Sequence, residues 1–479
     1  MAANGEDGPL RIGSKRFTES YILAQVLAQS AAPAATEVKQ GLGNTAIVYE
    51  ALRSGSIDLY PEYAGTIALE ILKSPKPMEL DAMNKALAPL GLGAAIPLGF
   101  NDGYALALRA ADADKLGLRT LSDLANHPEL KLGLSNEFIG RADGWKGLAA
   151  HYGLKQSPTG LDHGLAYDAI AAKQIDVIDI YTTDAKIGHL GLHVLQDDKA
   201  YFPRYDALVL YKLDVPQRHP AAWAAMQKLE GRINEDAMIA MNARAELQGV
   251  AFDVIARDFL SGAKADGGSR GFRAKLWGPD LGRLALQHIA LVAVSVLVAA
   301  LLAIPLAVWS FPHPRARALL LGFTGLLQTV PSLALLAILI PLLAAIGIVP
   351  ALVALTLYAL LPIMRNMVTG LGEVSQGLRE AATALGMTPR QRMRHVELPL
   401  ALPTVIAGVR TATTIAIGTA TIAAFIGAGG FGERIVTGLA LNDNGMLLAG
   451  AIPAAVLALV SEAFFELLER GFVARRGRG

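Results

Sequence analysis

Hydrophobic and polar positions divide the chain into two halves with different patterns. Up to about residue 280, short apolar segments alternate with amphipathic ones, and none is long enough to cross a bilayer. After residue 284, long apolar runs dominate. Between them, SGAKADGGSRGFRAKLWGPD is rich in glycine and charge, which is typical of a linker. We therefore predict a folded domain at residues 9–275, a linker at 276–283 and a membrane domain at 284–470.

The first half alternates predicted strands with predicted helices. LRIGSKRF predicts a strand and turn, and TESYILAQVLAQSAA predicts a helix with Thr18 as its N-cap. Further strands are predicted in IDLYPEYAGT, GYALALR, KLGLSN, IDVIDIYTTD and YDALVLY. This alternation predicts an α/β domain with mainly parallel sheets, in which a ligand binds beyond the carboxyl ends of the strands. The length allows two lobes, and we place the crossovers near residues 103–108 and 200–206.

The second half contains five candidate membrane spans. Pro331 and Pro341 predict a kink or break in the second, and the third is short. Arg410 lies inside the fourth, where a cation is costly unless it is paired or near the interface, and we expect it to reach the headgroups. The five stretches are approximately Leu284–Trp309, Leu319–Ile348, Pro350–Met364, Ala401–Gly427 and Met446–Phe465.

The arginines between and after the spans are strongly asymmetric. Eleven fall on one side and only Arg434 on the other, which predicts a cytoplasmic loop at residues 365–400, a basic cytoplasmic tail at 471–479 and an external first half. The beginning of the chain, MAANGEDGPLRIGSKRF, lacks the basic and apolar regions of an export signal, so we expect a processed or engineered form. The eleven are Arg315, Arg317, Arg365, Arg379, Arg390, Arg392, Arg394, Arg470, Arg475, Arg476 and Arg478.

Composition narrows the chemistry. Apolar residues make up 53% of the 479 positions and charged residues 18%, and the formal net charge of +1 gives no indication of nucleic acid as a partner. The chain has no cysteine, which excludes disulfides, thiolate catalysis and cysteine-based metal sites. It also has no G-x-x-x-x-G-K-[ST] motif for ATP hydrolysis. We predict no catalytic residue and no metal site.

A polar, helix-prone loop lies between the third and fourth spans, at residues 379–399. Its spacing, EAA-x3-G-x9-[IV]-x-LP, resembles the loop by which ABC-importer permeases dock on their cytoplasmic ATPase, and residues 284–470 resemble osmoprotectant permeases. We expect Glu380 to start a short helix and Gly386 to end it in a left-handed conformation. The alternative is an ordinary solvated loop. The matching residues are Glu380, Ala381, Ala382, Gly386, Val396, Leu398 and Pro399.

The first half also resembles a family. IGSKRFTESYIL, GLGNTAIVYEAL, IDLYPEYAGT, NDGYALAL, FIGRADGW, DIYTTDAKI and YFPRYDAL occur in the order found in periplasmic binding proteins for glycine betaine, choline and related solutes. The resemblance implies a two-lobed binding-protein fold of type II-like form, followed by the all-α permease.

Tyrosines are concentrated in this half, which holds eleven of the twelve. A quaternary ammonium has no N–H to donate, so a site must hold it by shape and by the faces of aromatic rings. The resemblance implies a cage formed by Tyr63, Tyr104, Tyr181 and Tyr205, with a weaker claim for Tyr60. The alternative is that these are ordinary half-buried strand tyrosines.

The resemblance also implies polar groups around the ligand. Arg141 can offer a two-pronged fork to a carboxylate, Lys15 a point charge and Thr66 a hydroxyl. Asp102 is expected near the ammonium or against a cage ring. Asn44 and Thr45 are candidates for the pocket wall. Each of the six could instead be a surface charge or a turn residue.

These features predict a substrate-binding and permease subunit of an ATP-driven ABC importer for glycine betaine, choline, carnitine or a similar solute, with ergothioneine as an alternative. The chain is then a transporter subunit and not an enzyme, with ATP and Mg²⁺ on a separate ATPase partner and no cofactor of its own. We expect a homodimeric permease among the lipids of the bacterial inner membrane and a periplasmic binding domain. A ligand-gated channel, a membrane-anchored sensor and an amino-acid importer are the alternatives.

Overall fold

A computed structural model describes residues 8–262, 271–343, 345–441 and 443–476, with the backbone alone at 471–476. Two compact units are present: residues 1–275 with 436–447, and residues 276–435 with 448–479.

Strands of the first unit are short and are mostly buried. Their bounds are β1 Leu10–Gly13, β2 Thr36–Lys39, β3 Leu59–Tyr63, β4 Leu92–Ala95, β5 Tyr104–Arg109, β6 Leu132–Ser135, β7 Thr159–Leu161, β8 Val177–Tyr181, β9 Leu192–Val194 and β10 Ala207–Lys212. Within the described residues they form two five-stranded sheets, in the orders β2-β1-β3-β10-β4 and β7-β6-β8-β5-β9. Each sheet is the centre of one lobe, and this confirms the expected two-lobed α/β domain.

Four of the five strands in each sheet run in the same direction, so the sheets are mainly parallel, as expected. β1 is parallel to β2 and β3, and β6 is parallel to β7 and β8, but β10 is antiparallel to β3 and β4, and β5 is antiparallel to β8 and β9. The antiparallel strands are the two that directly follow a crossover. Each starts at the crossover, where its neighbour β3 or β8 ends, so it runs in the opposite direction.

Helices surround both sheets. Their bounds are α1 Thr18–Ser30, α2 Thr45–Arg53, α3 Ala64–Thr66, α4 Leu80–Leu87, α5 Ala110–Leu116, α6 Leu121–Leu124, α7 Asn136–Gly140, α8 Trp145–Tyr152, α9 His163–Ala171, α10 Lys186–His189, α11 Val215–Arg218, α12 Pro220–Gln227, α13 Glu235–Glu246, α14 Phe252–Ser261 and α15 Phe272–Leu276. The prediction of Thr18 as an N-cap is wrong, because extended Phe17 holds that position without a side-chain hydrogen bond and Thr18 is already helical.

The chain passes between the lobes twice, at residues 96–103 after β4 and at residues 195–206 after β9. The two crossovers lie side by side and form an isolated antiparallel bridge between Asn101 and Asp206. Two further hydrogen bonds join them: Tyr205 N donates to Asn101 Oδ1 at 2.7 Å, and Asp102 N donates to Tyr205 O at 3.1 Å. The crossovers therefore form one connected hinge.

Helices, several of them long and apolar, make up the described part of the chain from Leu281 onward. Their bounds are α16 Leu281–Ser310, α17 Pro314–Thr329, α18 Ser332–Leu343, α19 Ile348–Glu373, α20 Gln376–Ala384, α21 Pro389–Arg392, α22 Leu398–Ala423, α23 Gly432–Leu441 and α24 Asn444–Arg476. Within the described residues, four helices are long and apolar enough to cross a membrane, or five if the bent pair α17 and α18 is one span. This agrees with about five predicted spans.

The predicted break in the second span is confirmed at Pro331, where α17 and α18 meet at 102°, whereas Pro341 lies inside α18. Two other predicted boundaries in this half of the chain need correction. The third span is longer than predicted, because α19 extends to Glu373 and accommodates Pro362. The predicted linker at 276–283 overlaps α15 at its first residue and α16 from Leu281. Residues 263–270 and 477–479, which belong to the glycine-rich stretch and the basic tail, lie outside the described residues.

Arg410 is ion-paired, and its expected contact with the headgroups stays a prediction. Its Nε donates to Glu462 Oε1 of α24 at 2.6 Å, and its Nη1 lies 3.5 Å from Glu469 Oε2. Thr414, one turn further along α22, donates to the other oxygen of Glu462 at 3.3 Å. Pairing a cation with carboxylates on a neighbouring helix lowers its cost inside a membrane segment.

Candidate ligand-binding site and coupling loop

The candidate site is a narrow space between the two lobes of the first unit. Both lobes and the hinge contribute its walls, and all four predicted cage tyrosines are among them. The lining residues are Lys15, Phe17, Tyr63, Thr66, Asp102, Tyr104, Glu137, Tyr181 and Tyr205. Because the walls come from separate segments, the space exists in this form only when the lobes are closed.

Tyr104 and Tyr181 are neighbours on two adjacent strands of one sheet. Tyr104 is the first residue of β5 and Tyr181 the last of β8, and the register of these antiparallel strands makes them direct partners. Their ring centroids lie 5.2 Å apart at 56°. A cross-strand aromatic pair at the ends of two strands places both rings next to the space beyond those ends.

Tyr63 supplies a ring from the other lobe, at the end of β3. Its hydroxyl donates to Glu19 Oε1 at 2.6 Å, and Lys15 Nζ lies 5.1 Å from its ring centroid. Glu19 also accepts from Thr183 of the opposite lobe at 2.6 Å and from Asn242 at 3.3 Å. This buried carboxylate therefore holds the Tyr63 ring and joins the two lobes.

Tyr205 comes from the hinge, and its ring packs edge-on to Tyr104 at 5.7 Å. Its hydroxyl donates to Asp143 Oδ2 at 2.5 Å, and this hydrogen bond to the second lobe fixes the orientation of the ring. Gly65 leaves room for the Tyr205 ring, because a Cβ at this position would lie 2.6 Å from Tyr205 Cδ1 and 3.0 Å from Arg204 O. A side chain there would meet both the ring and backbone.

Phe17 and Glu137 line the space, although sequence reasoning did not select them. The Phe17 ring lies 5.2 Å from Tyr181 and 6.3 Å from Tyr63, so it connects the rings of the two lobes. Its place directly after the GSKR segment was a possible signal. Nothing in the local sequence pattern indicated that Glu137, near the start of α7, faces the cage.

The remaining predicted residues divide into two groups. Lys15, Thr66 and Asp102 line the space, whereas Arg141, Thr45 and Asn44 are absent from its lining. Arg141 forms two hydrogen bonds to Asp143, at 2.6 and 2.7 Å, and its guanidinium lies 5.1 Å from the Tyr104 ring centroid. It also donates to Thr66 at 3.3 Å across the lobes.

Thr45 and Asn44 lie at the start of α2. Thr45 Oγ1 donates to Glu137 Oε1 at 3.2 Å, so Thr45 contacts a residue of the wall. Asn44 is the N-cap of α2, and its side chain accepts from Ile47 N at 3.3 Å. Tyr60 is fully buried and does not line the space, consistent with its weaker claim.

Burial controls the protonation of the groups around the cage. It raises the pKa of the phenols of all four cage tyrosines, so the rings are neutral at physiological pH. Burial also raises the pKa of Glu19 to about 7, against the hydrogen bonds from Thr183 and Tyr63, and it raises the pKa of Asp102 well above its usual range. The described residues contain no group of three or more ligating side chains that could hold a metal ion.

His163 and Asp184 form a polar pair behind the Tyr181 ring. The His163 ring lies 4.4 Å from the Tyr181 ring, and its Nε2 is 3.0 Å from Asp184 Oδ2. Burial lowers the pKa of His163, but the charge and hydrogen bond of Asp184, together with the charges of Asp179 and Glu246, raise the pKa to about 9. The imidazole is therefore a cation balanced by a carboxylate.

The loop of residues 379–399 folds as two short helices. Glu380 does not start the first helix as expected: α20 begins at Gln376, because Ser375 caps it by accepting from Leu378 N at 3.4 Å. Gly386 follows its end with φ +79°, as predicted. Ala382 is buried, whereas Glu380 and Ala381 contribute to an exposed helix face.

The second part of this loop leads into the membrane helix. α21 begins after a capping box between Thr388 and Gln391, and a π-helical turn at Met393–Glu397 continues into α22 at Leu398 and Pro399. Glu397 is buried and accepts from Arg392 Nε at 2.8 Å, with Arg379 Nε 3.6 Å away. These ion pairs connect the two short helices to the start of the span.

Comparison with known proteins decides the family. A model of the substrate-binding domain of ABC-type glycine betaine transport systems matches residues 8–262, more than half of the chain. The chain belongs to this family. A model of the inner membrane component of binding-protein-dependent transport systems matches residues 295–473. This betaine-family chain therefore carries a binding domain and a permease domain in one polypeptide, and it is a membrane transporter component, as predicted.

Matches to individual proteins each cover part of the chain. The chain is 33% identical over 266 residues to the ergothioneine transport permease/ergothioneine binding protein EgtU of Helicobacter pylori, a match that covers 53% of the chain and 48% of that relative. It is 43% identical over 184 residues to the choline transport system permease protein OpuBB of Bacillus subtilis, covering 38% and 84%. A solved glycine betaine/carnitine/choline ABC transporter structure is 28% identical, covering 53% and 98% with a TM-score of 0.46.

Proposed function

We propose that this chain binds a quaternary-ammonium solute in the aromatic space and passes it through its own permease domain in an ATP-driven importer. Four phenol rings and Phe17 around one narrow space are the observation that carries the proposal. A trimethylammonium group offers no hydrogen to a polar site, and ring faces attract it with about 0.5–2 kcal/mol per contact. Glycine betaine, choline and carnitine all carry this group.

The partner that supplies energy is a cytoplasmic ATPase that binds ATP and Mg²⁺. The support is the loop at 379–399, where two short helices expose Glu380 and continue directly into a membrane helix. A rigid connection of this kind can transmit the motion of a docked protein to the span. Two copies of the permease domain would pair around the solute path, since each copy has at most five spans in its described residues.

Arginine placement supports the orientation of the chain in a bacterial inner membrane, with the binding domain in the periplasm and the loop in the cytoplasm. Because the native chain has no cysteine, single cysteines report sidedness cleanly. In intact spheroplasts, a membrane-impermeant maleimide should label Glu129→Cys and spare Arg390→Cys. Labelling of Arg390→Cys alone would refute this orientation.

Calorimetric titration of the full chain in detergent tests the solute class. Choline, glycine betaine, carnitine and ergothioneine are the ligands, and ethanolamine is the control because it matches choline without its methyl groups. We expect saturable binding of at least one trimethylammonium compound and none of ethanolamine. Failure of all four compounds to bind, or equal binding of ethanolamine, would refute the aromatic cage as the site.

Ergothioneine is a second candidate within this class. The Helicobacter relative is named as a transporter and binding protein for it, and its betaine group would fit the same rings. Affinity for ergothioneine at least about tenfold above that for choline in the same titration would favour this candidate.

A further inference from the structure

Charged side chains around the cage are not balanced. Among the described residues, those that line the space are Lys15, Asp102 and Glu137. Lys15 Nζ lies 2.5 Å from Glu62 Oε1, and both side chains are almost fully buried. The one cation in the wall therefore already has a carboxylate as its partner.

The second cation near the cage is committed in the same way. Arg141 holds Asp143 through Nε and Nη2, at 2.7 and 2.6 Å. Its Nη1 lies 4.0 Å from Glu137 Oε1, which is beyond a hydrogen bond. Arg141 and Asp143 are absent from the lining of the space, whereas Glu137 is part of it.

Glu137 has no such close cation. Its side chain keeps 27% exposure, and its hydrogen-bond donor is the neutral hydroxyl of Thr45 at 3.2 Å. The ion pairs Lys15–Glu62 and Arg141–Asp143 cancel, so the charge of Glu137 remains in the wall, and ionisation of Asp102 would only add to it. Opposite charges a few ångströms apart in such a site interact strongly, and like charges repel equally strongly.

We propose that the site selects solutes with a quaternary ammonium and a net positive charge over zwitterions that also carry a carboxylate, and that Glu137 is the selecting residue. This inference rests on the proposed function. A choline-like cation supplies the missing positive charge, and its hydroxyl can donate to a carboxylate oxygen. The carboxylate of a betaine would be placed among groups that repel it or are already paired.

The first test compares ligands on the unaltered full chain in detergent. Glycine betaine and its amide have the same trimethylammonium group and nearly the same size, but only the amide is a net cation. We expect choline and betaine amide to bind at least about tenfold more tightly than glycine betaine. Equal affinity, or preference for glycine betaine, would overturn the inference while leaving the proposed function intact. If none of the three bound, and carnitine and ergothioneine also failed to bind, the proposed function would fall as well.

The second test addresses the residue. Glu137→Gln keeps the size of the side chain and removes its charge, and Glu129→Gln is the control, because Glu129 is exposed on the same lobe. We expect Glu137→Gln to weaken choline and strengthen glycine betaine, so that the ratio of their affinities falls at least about fivefold. Glu129→Gln should leave the ratio unchanged. Equal weakening of both ligands by Glu137→Gln would assign it a merely structural role and overturn the assignment.

Discussion

Replacement of Gly65 by alanine should disturb the cage without altering any residue that lines it. Gly65 is in α3, where alanine would ordinarily be favoured over glycine by about 1 kcal/mol. The new Cβ would lie 2.6 Å from Tyr205 Cδ1, whereas ordinary contacts begin at 3.4 Å, so something must shift by about 0.8 Å. Helix propensity therefore predicts that the substitution stabilises the fold, whereas packing predicts that it destabilises the fold.

Packing should decide the outcome, because the Tyr205 ring cannot withdraw easily. It is buried, its hydroxyl is held by Asp143, and Arg204 O closes the other side of the Gly65 position. Overpacking of this kind typically costs about 1–3 kcal/mol. We expect this cost partly as lower stability and partly as weaker ligand binding, since relief requires a displaced cage ring or incompletely closed lobes.

Calorimetry and thermal unfolding of the full chain in detergent measure both effects. Gly188→Ala is the matched control, because Gly188 also lies in a short helix and its new Cβ would meet nothing within 4 Å. We expect Gly65→Ala to weaken binding of the best trimethylammonium ligand about fivefold or more and to lower the melting temperature relative to the control. If Gly65→Ala were as stable as Gly188→Ala and bound ligand normally, the assigned packing of Tyr205 would be refuted.

Other groups give predictions of their own. Tyr181→Leu should weaken trimethylammonium binding about 2- to 30-fold and Tyr181→Phe much less, because phenylalanine keeps the ring; equal losses in calorimetry would argue against a cation–π role. Glu19, whose pKa rises from 4.5 to about 7 on folding, favours the folded state below pH 4.5, and this contribution of about 3 kcal/mol is lost as pH rises through 7. Urea unfolding at several pH values should therefore show a flatter profile for Glu19→Gln, and an unchanged profile would exclude this role. Gly386→Val should reduce solute-stimulated ATP hydrolysis in proteoliposomes with the ATPase, relative to Gly377→Ala, since φ +79° disfavours a β-branched residue; normal coupling would show that this turn is dispensable.

Much of the fold could be predicted because its signals are local. The segment at Leu59–Tyr63 and that at Val177–Tyr181 are short apolar runs, and both are strands as predicted. The antiparallel direction of β5 and β10 within these mainly parallel sheets was not predicted, because it depends on where each strand starts after a crossover. The helix start at Gln376 was missed because the capping serine lies five residues before Glu380.

The tyrosines of the site could be named from motifs, but the partners of its charges could not. Arg141 was expected to hold a ligand carboxylate, and whether it does stays a prediction. In the structure its fork is already filled by Asp143, only two residues away. Glu137 lies four residues before Arg141, near the start of the short helix α7. Only the folded structure shows that it faces the cage. Residue type and order do not reveal which ion pairs are internal.

The bridge between Asn101 and Asp206 has a mechanical consequence. Two unconnected crossovers would let the lobes twist, slide and bend independently. Two hydrogen-bonded crossovers form a ribbon that favours bending about a single axis. Tyr205 belongs to that ribbon and also to the cage, so the angle between the lobes and the position of one recognition surface change together. If the space takes a solute as we propose, Tyr205 would couple the contact with that solute to the angle between the lobes.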